Sequence, residues 1–358
     1  MTQLDLLLPF GLPPPEMAAD LLRALNAPAL AALIARAKAP QRCSFDDFSH
    51  SLPHEIWIAE QFGLTADLAA TGSPSIAVAA LRALGHSVED GLWFMLNPVH
   101  IHFARDHLVL TDRRHLSLSD ADSRALFEAA KPYFDEVGKR LLYGDAQSWF
   151  VAADDWNGFK TSTPDAACGH NIDIWMPHGE RERDWRKLQN EVQMLWHTHP
   201  VNEAREAQGL KTVNSLWLWG KGMGAASTHA SSTIQNPYDQ AANLPDWMRA
   251  FGPLVEQAHQ HYAASDVLSM AAQLGGKTLL VLDQLIGAAL ATDWSEWLLQ
   301  MHALEQEWFS PVLQALKAGQ IGQINLILSH ETAVSCFSTS RNLQRQFWIK
   351  PTLKQLQP

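Results

Sequence analysis

The chain has 358 residues, of which 47% are hydrophobic, and its formal net charge is −11. This length exceeds that of a usual single domain and predicts one large or two smaller domains with a substantial core. The negative charge excludes non-specific binding to nucleic acid, which requires clustered Lys and Arg. The three widely spaced cysteines and the lack of a signal peptide or long apolar run predict a cytoplasmic protein without a membrane span.

The N-terminal part of the chain predicts one strand followed by helices. Leu4–Leu8 is apolar and strand-like, and Pro13–Pro15 must lie in a loop because proline lacks a backbone N–H. Glu16–Ala39 has the Ala and Leu content and the periodicity of one helix. Two further helices are predicted over His54–Gly63 and Ser75–Leu84.

The middle of the chain changes from helical periodicity to alternation. Between Gly91 and Thr111 the apolar residues predict antiparallel strands, broken at Asn97-Pro98 and at Arg105-Asp106. A helix over Ser119–Val137 follows, with Ser119 as its N-cap. A strand over Ser148–Ala153 and a helix over Arg181–His197 are also predicted. Together these elements form an expected α+β insertion at residues 88–200.

The second half of the chain alternates strand and helix, as a mostly parallel sheet requires. Its strands are continuously apolar because both faces of such a sheet are buried. The predicted strands are Ser215–Trp219, Leu279–Leu282 and Ile324–Leu328, and the predicted helices are Asp246–His261 and Ser295–Leu316. The fold class is therefore α/β, with a core of residues 1–87 and 201–358 around the insertion at 88–200.

The insertion carries the densest cluster of ionisable side chains. His100 and His102 are two residues apart on a predicted strand, so they point to one face and could meet a ligand together. Arg113 and Arg114 follow, and their planar guanidinium groups can bind phosphate or carboxylate through two hydrogen bonds. The alternative is an exposed hairpin whose polar residues bind nothing.

Residues 195–224, LWHTHPVNEAREAQGLKTVNSLWLWGKGMG, contain an unusual order of motifs. A helix ends in H-P-V-N, an E-x-R segment and G-L-x-x-V-N follow, and an apolar strand leads into a glycine-rich turn. The triplet at 112–114, DRR, precedes them and the segment at 327–340, ILSHETAVSCFSTS, follows. This order resembles the archaeal-type cofactor-independent phosphoglycerate mutases of the alkaline phosphatase superfamily. It is most similar to their divergent bacterial branch, the RpfE-type regulatory proteins or phosphoglycerate mutase apoproteins.

The resemblance implies an alkaline-phosphatase-like, mostly parallel sheet flanked by helices, with an inserted α+β domain. It also implies a site with two metal ions and a hydroxyl nucleophile. The first ligand position corresponds to Pro9 or Phe10, and the nucleophile corresponds to His54, or to Ser51 or Ser49 if a short gap is allowed. The remaining ligand positions correspond to Ile286, Leu290, Ser329, His330 and Thr339, and only His330 keeps a metal-binding side chain.

One retained ligand does not hold two metal ions, so we expect a degenerate protein that acts in regulation or ligand binding. No cofactor is expected, and the expected ligand is a small phosphorylated or carboxylated molecule. Asn202 and Asn214 are further ligand-binding candidates, although amides that tie loops to backbone groups explain them as well. The alternative is an active phosphomutase or phosphohydrolase with Mn or Zn in a rebuilt site. The sequence names no protein partner.

Overall fold

The computed structural model describes residues 2–65, 67–224, 236–245, 247–248 and 262–357. The chain divides into two compact units. The first unit comprises Met1–Phe48, Leu52–Phe62 and Gln235–Pro358, and the second comprises Ser49–Ser51 and Gly63–Ile234. Within the described residues, no helix has both the length and the apolar content needed to cross a membrane.

Strands and helices are numbered along the chain. The strands are β1 (Gln3–Leu8), β2 (Gln41–Ser44), β3 (Gly91–Val99), β4 (Ile101–Ala104), β5 (His107–Leu110), β6 (Arg140–Tyr143), β7 (Trp149–Ala152), β8 (Ser215–Gly224), β9 (Gln240–Ala242), β10 (Lys277–Val281), β11 (Gln323–Ser329) and β12 (Ala333–Ser340). The helices are α1 (Ala18–Ala24), α2 (Pro28–Ala35), α3 (Pro53–Gln61), α4 (Leu68–Thr71), α5 (Ala77–Ala83), α6 (Asp120–Glu136), α7 (Pro164–Ala167), α8 (Glu182–His197), α9 (Pro200–Ala207), α10 (Ala264–Leu274), α11 (Leu285–Leu290), α12 (Trp294–Leu304), α13 (Ser310–Ala318) and α14 (Arg341–Gln344).

The first unit is built on a six-stranded mixed sheet with the order β2-β12-β11-β1-β10-β9. β1 pairs in parallel with both β10 and β11, and β10 pairs in parallel with β9. At the other edge, β12 pairs antiparallel with β11, and β2 pairs antiparallel with β12. Central strands of such a sheet are covered on both faces, and β1 is accordingly buried from Leu4 to Leu8. The prediction of a mostly parallel α/β sheet is confirmed.

The long helix predicted over Glu16–Ala39 is wrong, because α1 and α2 are separate. The break falls just before Pro28, which begins α2. Proline lacks the N–H that would continue a helix and is well accepted at its first position. The helix predicted over Asp246–His261 lies outside the described residues, apart from Trp247 and Met248.

The helix predicted over Ser295–Leu316 is continuous in space but changes its winding. A π-helical turn at Glu305–Phe309 joins α12 to α13. This turn places the buried Glu305 carboxylate at the start of α2, where it accepts the N–H groups of Ala29 (2.6 Å) and Leu30 (3.1 Å). A helix begins with N–H groups that have no partner within the helix, and Glu305 satisfies two of those of α2.

The second unit is built on an antiparallel sheet with the order β6-β7-β3-β8, beside a separate hairpin of β4 and β5. β8 was predicted as part of the parallel sheet, but it pairs antiparallel with β3. The expected break at Asn97-Pro98 is also wrong, because β3 continues to Val99. β3 pairs with β7 only from Trp93 to Leu96, so Pro98 has a neighbouring strand, β8, on one side only. A proline is accepted there because its missing N–H faces no second strand.

The glycine-rich end of β8 is a strand with a β-bulge rather than a turn. Trp219 pairs with Met95 and Gly222 with Trp93, so Gly220 and Lys221 together oppose a single residue of β3. Gly220 has a φ of 71°, the left-handed conformation that glycine adopts without strain in such bulges. β8 therefore lies in the second unit, although its residues fall outside the expected insertion at 88–200.

Candidate functional site

Three positions that the resemblance assigns to the metal and nucleophile site lie together in the first unit. Phe10 follows β1, and Ser329 ends β11. The Phe10 N–H donates to Ser329 Oγ (3.2 Å), and the same oxygen lies 3.3 Å from Nδ1 of the buried His54. The rings of Phe10 and His54 meet edge to face, with their centroids 5.7 Å apart. This cluster lies at the carboxyl ends of parallel strands, the usual ligand-binding edge of α/β sheets.

The side chains of this cluster are unlike a metal site. None is a carboxylate, and Phe10 presents a ring that cannot coordinate a cation through a lone pair. The middle ligand positions, Ile286 and Leu290, lie on α11 and are apolar. No group of three or more His, Cys, Asp or Glu side chains within the described ranges is placed to hold a metal ion. The residues present therefore do not fit a pair of divalent ions.

Two of the sequence assignments do not agree with the geometry. Thr339 pairs with Ile324 near the start of β11, whereas Ser329 at its end pairs with Val334. Five residues along a strand span about 16 Å, so Thr339 is remote from the cluster and cannot be the counterpart of a site residue. Ser51 belongs to the second unit and is 1% exposed, with its hydroxyl donating to the Gly72 carbonyl (2.9 Å). Its proton is committed to the backbone, so Ser51 is not presented as a nucleophile.

His330, the retained ligand position, lines a cavity of about 180 Å³ beside the cluster. Its side chain is buried, and its Nδ1 accepts the N–H of Thr332 at 3.2 Å. Burial lowers the pKa of His330, against the opposing effect of Glu16. A neutral ring that accepts this N–H at Nδ1 carries its proton on Nε2.

Arg114 does not present the free guanidinium that the sequence suggested. Its two terminal nitrogens bind the Asp165 carboxylate (2.9 and 3.1 Å), and its Nε binds Asp112 (3.1 Å). Burial alone would lower the pKa of Arg114, but the two carboxylates outweigh it and raise that pKa. Arg114 thus joins two parts of the second unit, and its guanidinium is already paired with carboxylates of the protein itself. Arg113 makes no ion pair within the described part of the chain.

His100 and His102 come together as expected from their spacing, with stacked rings 6.1 Å apart. His100 lies between β3 and β4, and its Nδ1 is 2.8 Å from the Thr212 carbonyl. His102 Nδ1 is 3.0 Å from Thr111 Oγ1. Burial lowers the pKa of His100, assisted by the nearby Lys211. In each ring the contact uses Nδ1, which leaves Nε2 as the second ring nitrogen.

Asn202 and Asn214 hold backbone groups. Asn202 donates to the carbonyls of Trp196 and Val213 and accepts the Val213 N–H, each at 2.8 Å. Asn214 accepts the N–H of Ile101 (2.8 Å) and donates to its carbonyl (2.7 Å), as a paired strand residue would. Both amides are satisfied within the second unit, which agrees with the structural explanation of these residues.

A polar cleft of about 550 Å³ lies beside these two amides in the second unit. Asn190, Gln193 and His197 of α8 line one side and Glu206 of α9 lines another. Sequence reasoning did not find this cleft, nor the carboxylates and the tryptophan that line the cavity beside His330. Asp165 was also missed, although Thr163-Pro164 before it is a typical helix start and places the carboxylate in the first turn of α7.

Comparison with known proteins shows a distant relationship. The chain is 29% identical over 153 residues to a probable 2,3-bisphosphoglycerate-independent phosphoglycerate mutase of Geobacter sulfurreducens, covering 40% of this chain and 37% of that protein. It is 23% identical over 204 residues to the 2,3-bisphosphoglycerate-independent phosphoglycerate mutase of Methanosarcina mazei, covering 56% and 50%. The chain is a distant homologue of these mutases.

The matched regions span half or less of the length of these mutases. No protein-family model matches the chain. The solved structure of a Pyrococcus horikoshii protein aligns with 99% of this chain and 91% of its own, at 13% identity and a TM-score of 0.53. The mutase homologue therefore shares its two-sheet α/β fold with a known structure, while its chemistry has to be judged from its own side chains.

Proposed function

We propose that this mutase homologue is degenerate: it does not perform two-metal phosphoryl transfer and acts as a regulatory or ligand-binding protein. The observation that supports this proposal is the contact between Phe10, His54 and Ser329 at the carboxyl ends of β1 and β11. Phosphoryl transfer of this type needs two cations and an activated hydroxyl at one place. A phenyl ring and a serine hydroxyl that accepts a backbone N–H supply neither.

Metal analysis and a mutase assay test the proposal together. The purified chain is incubated with Mn²⁺ or Zn²⁺, separated from free ions and analysed by mass spectrometry, and is assayed for conversion of 3-phosphoglycerate to 2-phosphoglycerate. We expect no stoichiometric pair of ions and no turnover above background. Two tightly bound equivalents with turnover that His330→Ala abolishes would instead support the alternative, an active phosphomutase or phosphohydrolase with a rebuilt site.

We further propose that the chain belongs to the RpfE-type branch of regulatory proteins and that it acts in the cytoplasm. Its second unit would bind a small phosphorylated or carboxylated ligand. We assign the binding of this anion to the Arg113 guanidinium, since that of Arg114 donates its hydrogen bonds to Asp165. In a thermal-shift screen of glycolytic phosphates and dicarboxylates, a ligand that binds only the native state raises the melting temperature. Arg113→Ala should erase that rise, and a screen without any rise would remove the anion from the proposal.

A further inference from the structure

The first unit carries a basic surface, although the chain as a whole is acidic. Residues 36–45 and 332–358 contain seven Lys and Arg and no Asp or Glu, whereas the whole chain has 27 Lys and Arg against 38 Asp and Glu. Both segments belong to the first unit, and together they are called the basic surface below. Six of its seven cationic residues are exposed: Lys38, Arg42, Arg341, Arg345, Lys350 and Lys354.

Hydrogen bonds join the two segments into one surface. Arg36 Nε donates to the Ile349 carbonyl at 3.2 Å. The Arg42 guanidinium donates to the carbonyls of Gln357 (2.8 Å) and Gln355. The positive charges therefore lie together in space, although the two segments are far apart in the chain.

The carboxylates of the chain do not neutralise this surface. None of its seven cations forms a salt bridge with Asp or Glu in the part of the chain that the structure describes. The guanidinium groups of Arg36 and Arg42 meet backbone carbonyls, which carry no net charge. The basic surface therefore keeps its positive charge and is complementary to an anionic partner.

Two exposed aromatic side chains stand between these charges. Phe347 is 83% exposed and Trp348 is 67% exposed. Their rings meet edge to face with centroids 5.2 Å apart, so they form one apolar projection. In the sequence Arg345 precedes this pair and Lys350 follows it. Because the removal of apolar surface from water is favourable, a partner that covers the two rings gains affinity from them in addition to the charges.

An anionic lipid bilayer offers both properties that this surface requires of a partner. Its headgroups attract Lys and Arg, and the boundary between headgroups and acyl chains accepts Trp and Phe. A bilayer is a plane and meets one face of the protein. A single-stranded nucleic acid fits less well, because successive bases stack on aromatic faces, and the rings of Phe347 and Trp348 lie at 79° to each other.

We propose that the basic surface docks the chain on an anionic lipid membrane, with Phe347 and Trp348 inserted among the headgroups. The cations contact lipid phosphates, and the rings add the apolar contribution, since peripheral attachment generally combines two weak signals. The docking goes beyond the proposed function and does not depend on it. The Thr339 hydroxyl donates to the Arg36 carbonyl (3.3 Å), and Thr339 lies at the end of β12 away from Ser329 and the candidate site.

Sedimentation of the full chain with lipid vesicles tests the docking. The probe is a vesicle of equal parts phosphatidylcholine and phosphatidylglycerol, and vesicles of phosphatidylcholine alone are the control without net charge. We expect saturable binding to the anionic vesicles and at least about ten-fold weaker binding to the control vesicles. Because salt screens exposed charges, binding to the anionic vesicles should weaken as the NaCl concentration is raised.

Two double variants separate the charges from the rings. Arg345→Gln with Lys350→Gln removes two charges and should weaken binding to the anionic vesicles at least about ten-fold. Phe347→Ala with Trp348→Ala removes the apolar projection and should also weaken binding at least about ten-fold. All four side chains are exposed, so the melting temperature of both variants should stay near that of the parent chain.

Matched controls come from exposed positions of the second unit. Phe103→Ala removes a phenyl ring that is 69% exposed outside the basic surface. Arg183→Gln with Lys187→Gln removes two exposed charges of α8. Both controls should bind the anionic vesicles as the parent chain does.

Four results would overturn the proposal: no binding to anionic vesicles at low salt, equal binding to vesicles of phosphatidylcholine alone, unchanged binding of either double variant, or tighter binding of a single-stranded oligonucleotide than of the vesicles. The last result would assign the basic surface to nucleic acid. These outcomes are separable from those for the proposed function, because vesicle binding is measured without metal ions or phosphoglycerate. A chain that fails to bind vesicles and also lacks metal and mutase activity loses only the membrane docking.

Discussion

Arg114 and Arg113 are neighbours in the chain but have different roles in the second unit. Arg114 contacts two buried carboxylates, Asp112 and Asp165, through all three of its guanidinium nitrogens. Removing one member of a buried ion pair leaves the other charge without compensation in a poorly solvated place. The contribution of the Arg114 ion pairs to stability is therefore best measured by comparing a substitution of Arg114 with one of Arg113, which makes no such contact in the described residues.

Arg114→Ala should lower the free energy of unfolding by about 3 kcal/mol, the lower end of the range for broken buried pairs, because 32% of the Arg114 side chain is exposed. Arg113→Ala should cost clearly less, because this half-buried side chain makes no ion pair in the described part of the chain. Urea denaturation of the two variants gives both values. If both variants lost the same free energy of unfolding, the ion pairs of Arg114 would not contribute to stability.

The three cysteines should differ in reactivity. Burial raises the pKa of the Cys168 thiol to about 12, with further contributions from Asp112 and Asp165. Burial likewise raises the pKa of Cys336, whereas Cys43 is exposed on the edge strand β2. Because the thiolate is the reactive form, iodoacetamide at neutral pH should label Cys43 first and leave Cys168 unlabelled. Peptide mass spectrometry after timed quenching gives the order, and early labelling of Cys168 would contradict its described burial.

At the scale of elements, the π-helical turn between α12 and α13 supplies a hydrogen-bond acceptor to the N–H groups at the start of α2. Glu305→Ala would leave the N–H groups of Ala29 and Leu30 without their acceptor. Unsatisfied buried groups cost about 1–3 kcal/mol each, but removing a carboxylate whose pKa is raised by burial returns part of that cost. We expect a net loss of about 2 kcal/mol.

Glu307→Ala is the matched control for this substitution, since Glu307 lies on the same turn and is exposed. Chemical denaturation of both variants should show a loss only for Glu305→Ala. If both variants lose stability alike, the turn itself rather than the carboxylate supports α2.

The sequence predicted most elements but not all of their partners. Ser119 caps α6 as expected, accepting the Asp122 N–H, because a cap is a local interaction between close residues. β1, β10 and β11 were recognisable from continuous apolar runs. β8 has the same apolar character, yet it pairs antiparallel with β3. Apolar content indicates burial on both faces and carries no information on strand direction, so this error could not be avoided from composition.

The candidate site was predictable only in part. Phe10, His54 and Ser329 were assigned to a common site by the resemblance of their surrounding motifs to the mutase family, and the structure brings the three together. Glu16 and Asp47 lie in turns and Trp294 begins α12, and no periodicity in the sequence indicates that these three residues line one cavity. Thr339 was misplaced because a count of residues along an antiparallel strand does not say at which end of the sheet they lie.

At the scale of the whole molecule, one buried and two half-buried histidines, found in both units, should make the fold sensitive to acid. Burial lowers the pKa of His50 from 6.5 to about 4, with contributions from Lys160 and His178, and burial also lowers the pKa of His100 and His330. The unfolded chain therefore takes up protons more readily than the folded chain between pH 6.5 and the lower folded values. Stability is fully present above this window and falls as the pH falls through it.

The urea midpoint should accordingly decrease from pH 7 to pH 5. His50→Asn should flatten this decrease, because the proton that only the unfolded state binds at that position is lost. His115→Asn, at an exposed position, is the control and should retain the full slope. A midpoint that is constant between the two pH values would contradict the described burial of these rings.

The backbone at Phe10 has a conformation that suits other residue types better than phenylalanine. Phe10 has a φ of 56°, its N–H donates to Ser329 Oγ, and its carbonyl accepts from Trp297 Nε1 at 2.9 Å. Aspartate and asparagine tolerate this left-handed conformation better than phenylalanine does. Phe10→Asp would thus suit the existing turn and would place a carboxylate beside His54 and Ser329 without a change of the backbone.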